Sequence, residues 1–118
     1  MMRWKNLLLS SLLLVLVVNG CAHSHVIEVT VTNTSNEKIS NIAIEYPEAS
    51  FGINSLDPGK SYQYKIKPTS TGPVKIAFLN SHAQDRVSTG PVVHKDDEGS
   101  IEIKVTQDEA VAEGKLNR

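Results

Sequence analysis

The sequence predicts an all-β domain, an antiparallel sandwich of six or seven short strands, preceded by a signal-peptide helix. Three observations predict it. Apolar residues alternate with polar ones at period two in five segments after residue 25, the mark of half-buried strands. Turn-forming clusters separate these segments at spacings of about 8–14 residues. No segment after residue 25 carries apolar residues at the three-and-four spacing of an amphipathic helix.

The first strand covers Val26 to Thr32, with Ile27, Val29 and Val31 on one face and Glu28, Thr30 and Thr32 on the other. Asn33-Thr34-Ser35-Asn36 then turns the chain. Ile42, Ile44 and Tyr46 share a face of the second strand, which Pro47 stops. Phe51 to Ile53 form a short strand or an edge segment. In Leu56-Asp57-Pro58-Gly59, Pro presets φ and Gly allows a positive φ, so this is a tight turn. Tyr62, Tyr64 and Ile66 alternate with Gln63, Lys65 and Lys67 in the most regular strand of the chain. Val74, Ile76 and Phe78 form the inward row of the next. Arg86–Ser88 and Pro91–Val93 read as one strand interrupted at Gly90-Pro91, placed at a sheet edge because Pro removes a ladder donor. After a charged turn at Lys95-Asp96-Asp97-Glu98-Gly99, Ile101, Ile103 and Val105 alternate with Glu102, Lys104 and Thr106. The polar residues Gln107 to Arg118 are expected to fray or to form one helical turn.

The expected core is Ile27, Val29, Val31, Ile42, Ile44, Tyr62, Tyr64, Ile66, Val74, Ile76, Phe78, Ile101, Ile103 and Val105. Large apolar side chains contribute about 1.5–3 kcal/mol each on burial, so one domain of this length closes without disulfides. Val29 to Thr34, the Leu-Asp-Pro-Gly turn and the Tyr-x-Tyr strand at 62–64 resemble small immunoglobulin-like or fibronectin-III-like modules. The inter-sheet Cys pair and core Trp of antibody domains are missing, so the resemblance concerns architecture and not function.

The N-terminus is of another kind. Arg3 and Lys5 precede an aliphatic run from Leu7 to Val18. Twelve helical residues span about 18 Å against a bilayer core of about 30 Å, so the run is too short to cross and fits the apolar region of a signal peptide. Val18-Asn19-Gly20-Cys21 follows, and Cys21 is the sole Cys of the 118 residues. This resembles the lipobox of bacterial lipoproteins. The resemblance implies diacylglycerol on the Cys21 sulfur, cleavage before Cys21 and acylation of the new amino group. It further implies an envelope protein held in a membrane by Cys21, with Ala22 favouring the outer membrane, facing the periplasm. The expected organisation is therefore a signal peptide at 1–20, a lipidated tether at 21–25, a sandwich at 26–106 and a polar tail at 107–118.

The whole chain holds 12 basic and 13 acidic residues. That near-balance excludes a strongly basic nucleic-acid binder. His23 and His25, separated by one residue, could offer two imidazoles to Cu(II) or Zn(II), with His82 or His94 as further candidates. The competing reading is a polar tether. Asp96, Asp97 and Glu98 lack the ligand spacing of a calcium loop and read as a solvated turn. Ser81, His82 and Asp85 share one turn, with no G-x-S-x-G element to present a nucleophile. Lys60, Lys65, Lys67 and Lys75 read as parts of a mixed, solvated surface. No cofactor is expected. Tyr46 and Phe51, flanking a loop with Pro47 and Gly52, are the residues expected to touch a partner. The function expected from all this is a non-enzymatic binding or structural module of the cell envelope, with an envelope protein as partner. Metal binding through the histidines and envelope protease inhibition are the alternatives. The loop motifs of immunoglobulin-like cysteine-protease inhibitors are absent from the sequence.

Overall fold

Eight strands arise from the alternation: β1 (Ile27–Asn33), β2 (Ile39–Tyr46), β3 (Ala49–Leu56), β4 (Ser61–Ile66), β5 (Gly72–Leu79), β6 (Asp85–Val93), β7 (Glu98–Val105) and β8 (Ala110–Asn117). The structure, a computed structural model, describes residues 25–117. No helix occurs among the described residues. The strands form two four-stranded sheets, ordered β4-β1-β7-β8 and β3-β2-β5-β6. All pairings are antiparallel except β1 with β7, which is parallel. The fold is thus the all-β sandwich that the sequence predicts, with its own strand order.

The chain places hairpins β2–β3, β5–β6 and β7–β8 each within one sheet and crosses to the other sheet between them. The inward rows of both sheets meet in one core of Ile, Val, Phe, Leu and Ala side chains. Twelve of the fourteen expected core residues are buried there. The exceptions are Tyr62 and Tyr64, each 40% exposed. Their alternation is right, since they oppose Val31 and Val29 on the inward face of β1. They lie on an edge strand, however, where no further strand covers them.

Two further expectations are corrected. The tail does not fray or coil into a helical turn: Ala110–Asn117 is strand β8, paired along the whole of β7. The segment between Tyr46 and Phe51 is not a loop. Tyr46 pairs with Ala49 across a two-residue hairpin turn of Pro47 and Glu48. Pro47 presets a negative φ and Glu48 takes φ 68°, the φ pattern of a type II turn. The Asp57–Lys60 turn forms as expected, with Gly59 at φ 75° and the Lys60 N–H donating to the Asp57 carbonyl at 3.0 Å.

Buried asparagines tie the loops at one end of the sandwich. Asn33 donates through Nδ2 to the carbonyls of Glu37 and Leu56, both at 2.8 Å, and its Oδ1 accepts from the Ser35 N–H at 2.9 Å. Asn80 organises the β5–β6 turn by accepting from the His82 and Gln84 N–H groups, both at 3.0 Å. Gln107 joins the two turns: its Oε1 accepts from the Ser81 hydroxyl at 2.7 Å and its Nε2 donates to the Ser35 hydroxyl at 2.9 Å. A buried amide left without such partners would cost about 1–3 kcal/mol, so these side chains fix the loops in one arrangement.

Candidate functional site

The two long sides of the sandwich differ, and the difference defines the candidate site. On one side β6 and β8 close against each other. On the other, aromatic rings from β3 and β4 stack across the gap between the sheets. Phe51, opposite Ile44 in β3, points inward and is buried. Its ring stacks on Tyr64 with centroids 4.3 Å apart and planes at 24°, and on Tyr62 at 6.4 Å and 23°. Tyr46 packs against the core at the end of β2. Burial raises the Tyr46 pKa above its ordinary value of 10, and the neighbouring Tyr64 phenol raises it further. Phe51, Tyr62 and Tyr64 thus make one stacked patch, buried at Phe51 and half-exposed at the two tyrosines. Such rings bury large areas at low entropic cost and suit a contact surface.

Tyr46 also lines a shallow groove of about 400 Å³ with Glu45, Pro47, Thr71, Gly72, Pro73 and Lys75. The Thr69 hydroxyl donates to Glu48 Oε2 at 2.6 Å and fastens the β4–β5 connection to the β2–β3 turn. Of the expected contact residues, Tyr46 therefore reaches the surface while Phe51 supports the tyrosines from below.

The other candidates are dispersed. Cys21, His23 and the whole of 1–20 lie outside the described residues. His25 directs Nδ1 at Glu98 Oε1, 2.7 Å away. His94 sits in the β6–β7 turn, 3.7 Å from Asp97, and His82 sits in the β5–β6 turn at the asparagine-bound end. Among the described residues no group of three or more His, Cys, Asp or Glu side chains gathers as a metal site. Ser81 Oγ lies 3.3 Å from His82 Nδ1 and donates to Gln107, while Asp85 begins β6. Lys65 opposes Glu28 on one sheet and Lys75 opposes Glu45 on the other, so these lysines do not share a face.

The acidic turn, expected over Lys95 to Gly99, departs from expectation at its end: Glu98 and Gly99 already belong to β7, and Asp97 is buried. Asp97 is only 1% exposed, and its Oδ2 accepts from the His94 N–H at 2.8 Å, closing the turn. Sequence reasoning missed this, and the available signal was an Asx residue able to bond its own turn.

The fold is that of a small all-β sandwich with stacked aromatic rings along one side. The chain is similar to an NMR structure of a protein from Eubacterium rectale, with TM-score 0.56 over 80% of this chain and 94% of that one. The sequences are 10% identical, so the likeness is one of fold alone. The sequence matches no protein-family model and no curated protein.

Proposed function

We propose that this protein is a lipid-anchored module of the bacterial cell envelope, held in a membrane through acylated Cys21, whose β-sandwich binds or supports another envelope component without catalysis. One observation carries the reading: a basic flank and a short aliphatic run end in Val18-Asn19-Gly20-Cys21, and the chain has no other Cys. The position of β1 supports it. The strand starts at Ile27, six residues after Cys21, a spacing that suits a short tether between lipid and domain. One acyl chain binds a bilayer only reversibly, and several chains hold far longer. The aromatic patch of Phe51, Tyr62 and Tyr64 is the surface that the reading assigns to the partner.

Growing cells with labelled palmitate tests the anchor. The wild-type chain should take up label and start at Cys21 in mass spectrometry. Cys21→Ser should take up none and remain as full-length precursor. An unmodified thiol at position 21 of a mature chain would overturn the reading.

A further inference from the structure

An antiparallel sheet with one face in water alternates apolar residues inward with polar residues outward. The sheet β4-β1-β7-β8 follows this rule, with Glu28, Lys65, Glu102, Lys104, Glu113 and Lys115 on its outer face. The sheet β3-β2-β5-β6 departs from it. Ile42, Ile44, Phe51, Ile53, Ile76 and Phe78 are buried in the core, so the residues between them face outward. One row across that outer face, from β3 to β6, is Gly52, Ala43, Ala77 and Val87. The next row is Ser50, Glu45, Lys75 and Thr89, with one acid and one base side by side on the two central strands. Val87 is 71% exposed, more than any other large apolar side chain among the described residues.

We infer that this outer face is a dimer interface, on which two copies of this chain stack face to face about a two-fold axis running along the strands between β2 and β5. A two-fold contact must be complementary to itself, and this axis meets that condition. It lays β2 over β5 and β3 over β6 while keeping each row over itself. Glu45 then lies over Lys75 of the second copy, and Lys75 over its Glu45, so four charges form a square of alternating sign. Val87 of each copy lies over Gly52 of the other, the one residue of that row without a Cβ. There is room at Gly52, since a Cβ built there meets only the Ile42 carbonyl oxygen, at 3.6 Å. The third row brings Asp85 over Ser55, so no charge on these rows meets its like. An axis along the Val87 row would instead set Val87 against Val87, Glu45 over Ser40 and Lys75 over Leu79, and would pair neither charge.

Charge complementarity selects a second copy as the occupant. Any other surface would have to bring a base over Glu45, an acid over Lys75 and an apolar knob over Gly52, and this face supplies all three to itself. Strands spaced by about 4.8 Å and residues spaced by about 3.4 Å give four strands of eight residues a face of about 500 Å² per copy. Such an area lies at the low end for a specific interface, so the dimer is reversible. The stacked sheets would lie about 10 Å apart with their strands about 30° from parallel, the arrangement that sheets adopt within sandwiches.

The test uses the full-length chain in mild detergent with Cys21→Ser, which leaves an introduced thiol as the only one. Facing Cβ atoms of stacked sheets lie about 7 Å apart, whereas Val87 and its own copy are offset by three strand spacings, about 14 Å, besides the gap between the sheets. A mixture of Gly52→Cys and Val87→Cys chains should therefore cross-link through a short thiol reagent, and either variant alone should not. Glu45→Lys and Lys75→Glu should each weaken self-association at least about tenfold with an unchanged circular dichroism spectrum, because like charges then face each other. Mixing those two variants should restore association, since every facing pair is again of opposite sign. Failure of the cysteine mixture to cross-link, with folded spectra, overturns the inference and leaves the face to another occupant. Cross-linking of the single variants as strong as that of the mixture overturns it too, because it marks unspecific association. Reversed charges that leave self-association unchanged overturn it as well. Cys21 is replaced throughout, so this inference and the anchor reading fail separately.

Discussion

The two sides of the sandwich solve the same problem with opposite materials. Where β6 meets β8, the facing residues are small. A Cβ built on Gly90 would stand 3.1 Å from the Ala112 Cβ and 3.4 Å from the Val74 carbonyl oxygen, so the sheets close to near contact there. A hydrogen bond from the Ala110 N–H to the Ser88 hydroxyl, 3.0 Å long, stitches the seam. Where β3 meets β4, the facing residues are Phe51, Tyr62 and Tyr64, and ring stacking replaces backbone approach. Small residues make a seam that closes tightly, although Val87 and Val92 of β6 and Val111 of β8 stay exposed beside it. Large rings make one that leaves Tyr62 and Tyr64 each 40% exposed at the seam itself.

The largest effect should come from overfilling the closed seam. Gly90→Val puts three carbon atoms where even a single Cβ would sit tight, and overpacking of this kind costs about 1–3 kcal/mol, here near the upper end. Urea unfolding of the variant should show a midpoint well below wild type with the slope unchanged. An unaltered midpoint would mean that the β6–β8 seam is looser than its geometry.

Removing a ring from the open side should cost less. Tyr64→Ala loses the 4.3 Å stacking contact with Phe51 but vacates a site that is already 40% exposed, so about 1–2 kcal/mol is expected. Tyr62→Ala, at 6.4 Å, should cost less again. A loss at Tyr64 equal to that at Gly90 would erase the contrast between the two sides and make the aromatic patch ordinary core.

Most of the strand order in sequence was legible because period-two alternation is strong wherever a strand pairs Ile and Val inward with charged residues outward, as in β1 and β7. The losses have particular causes. In β8 the inward row is Ala110, Ala112, Gly114 and Leu116, small residues chosen by the tight seam, so the hydrophobic contrast was too low to read as a strand. Ile39 was missed because the register shifts between Ser40 and Ala43, and Asn41 takes φ 47° there. The extra residue puts both Ile39 and Ile42 inward and breaks the simple alternation. For Tyr62 and Tyr64 the sequence indicated the correct face and the wrong exposure. Face is a local property of a strand, whereas edge position is decided by which strands happen to pair.

The smallest effect, and the most specific to the open side, concerns alkaline pH. Tyr46 titrates above its ordinary value in the folded chain because burial, and then the Tyr64 phenol, disfavour its phenolate. In the unfolded chain it ionises near pH 10. A group whose folded pKa is raised favours the folded state fully at pH values below its unfolded pKa, and this contribution fades as pH rises through the folded value. Stability should therefore be flat with respect to Tyr46 at neutral pH and fall above about pH 10. Tyr46→Phe removes the ionisable group and keeps the ring. Comparing urea midpoints of the two proteins from pH 8 to pH 11 isolates the residue from the other tyrosines and lysines, which titrate in both. The difference should be constant to about pH 9.5 and then shift in favour of Tyr46→Phe. A difference that stays constant through pH 11 would place the Tyr46 hydroxyl in free solvent.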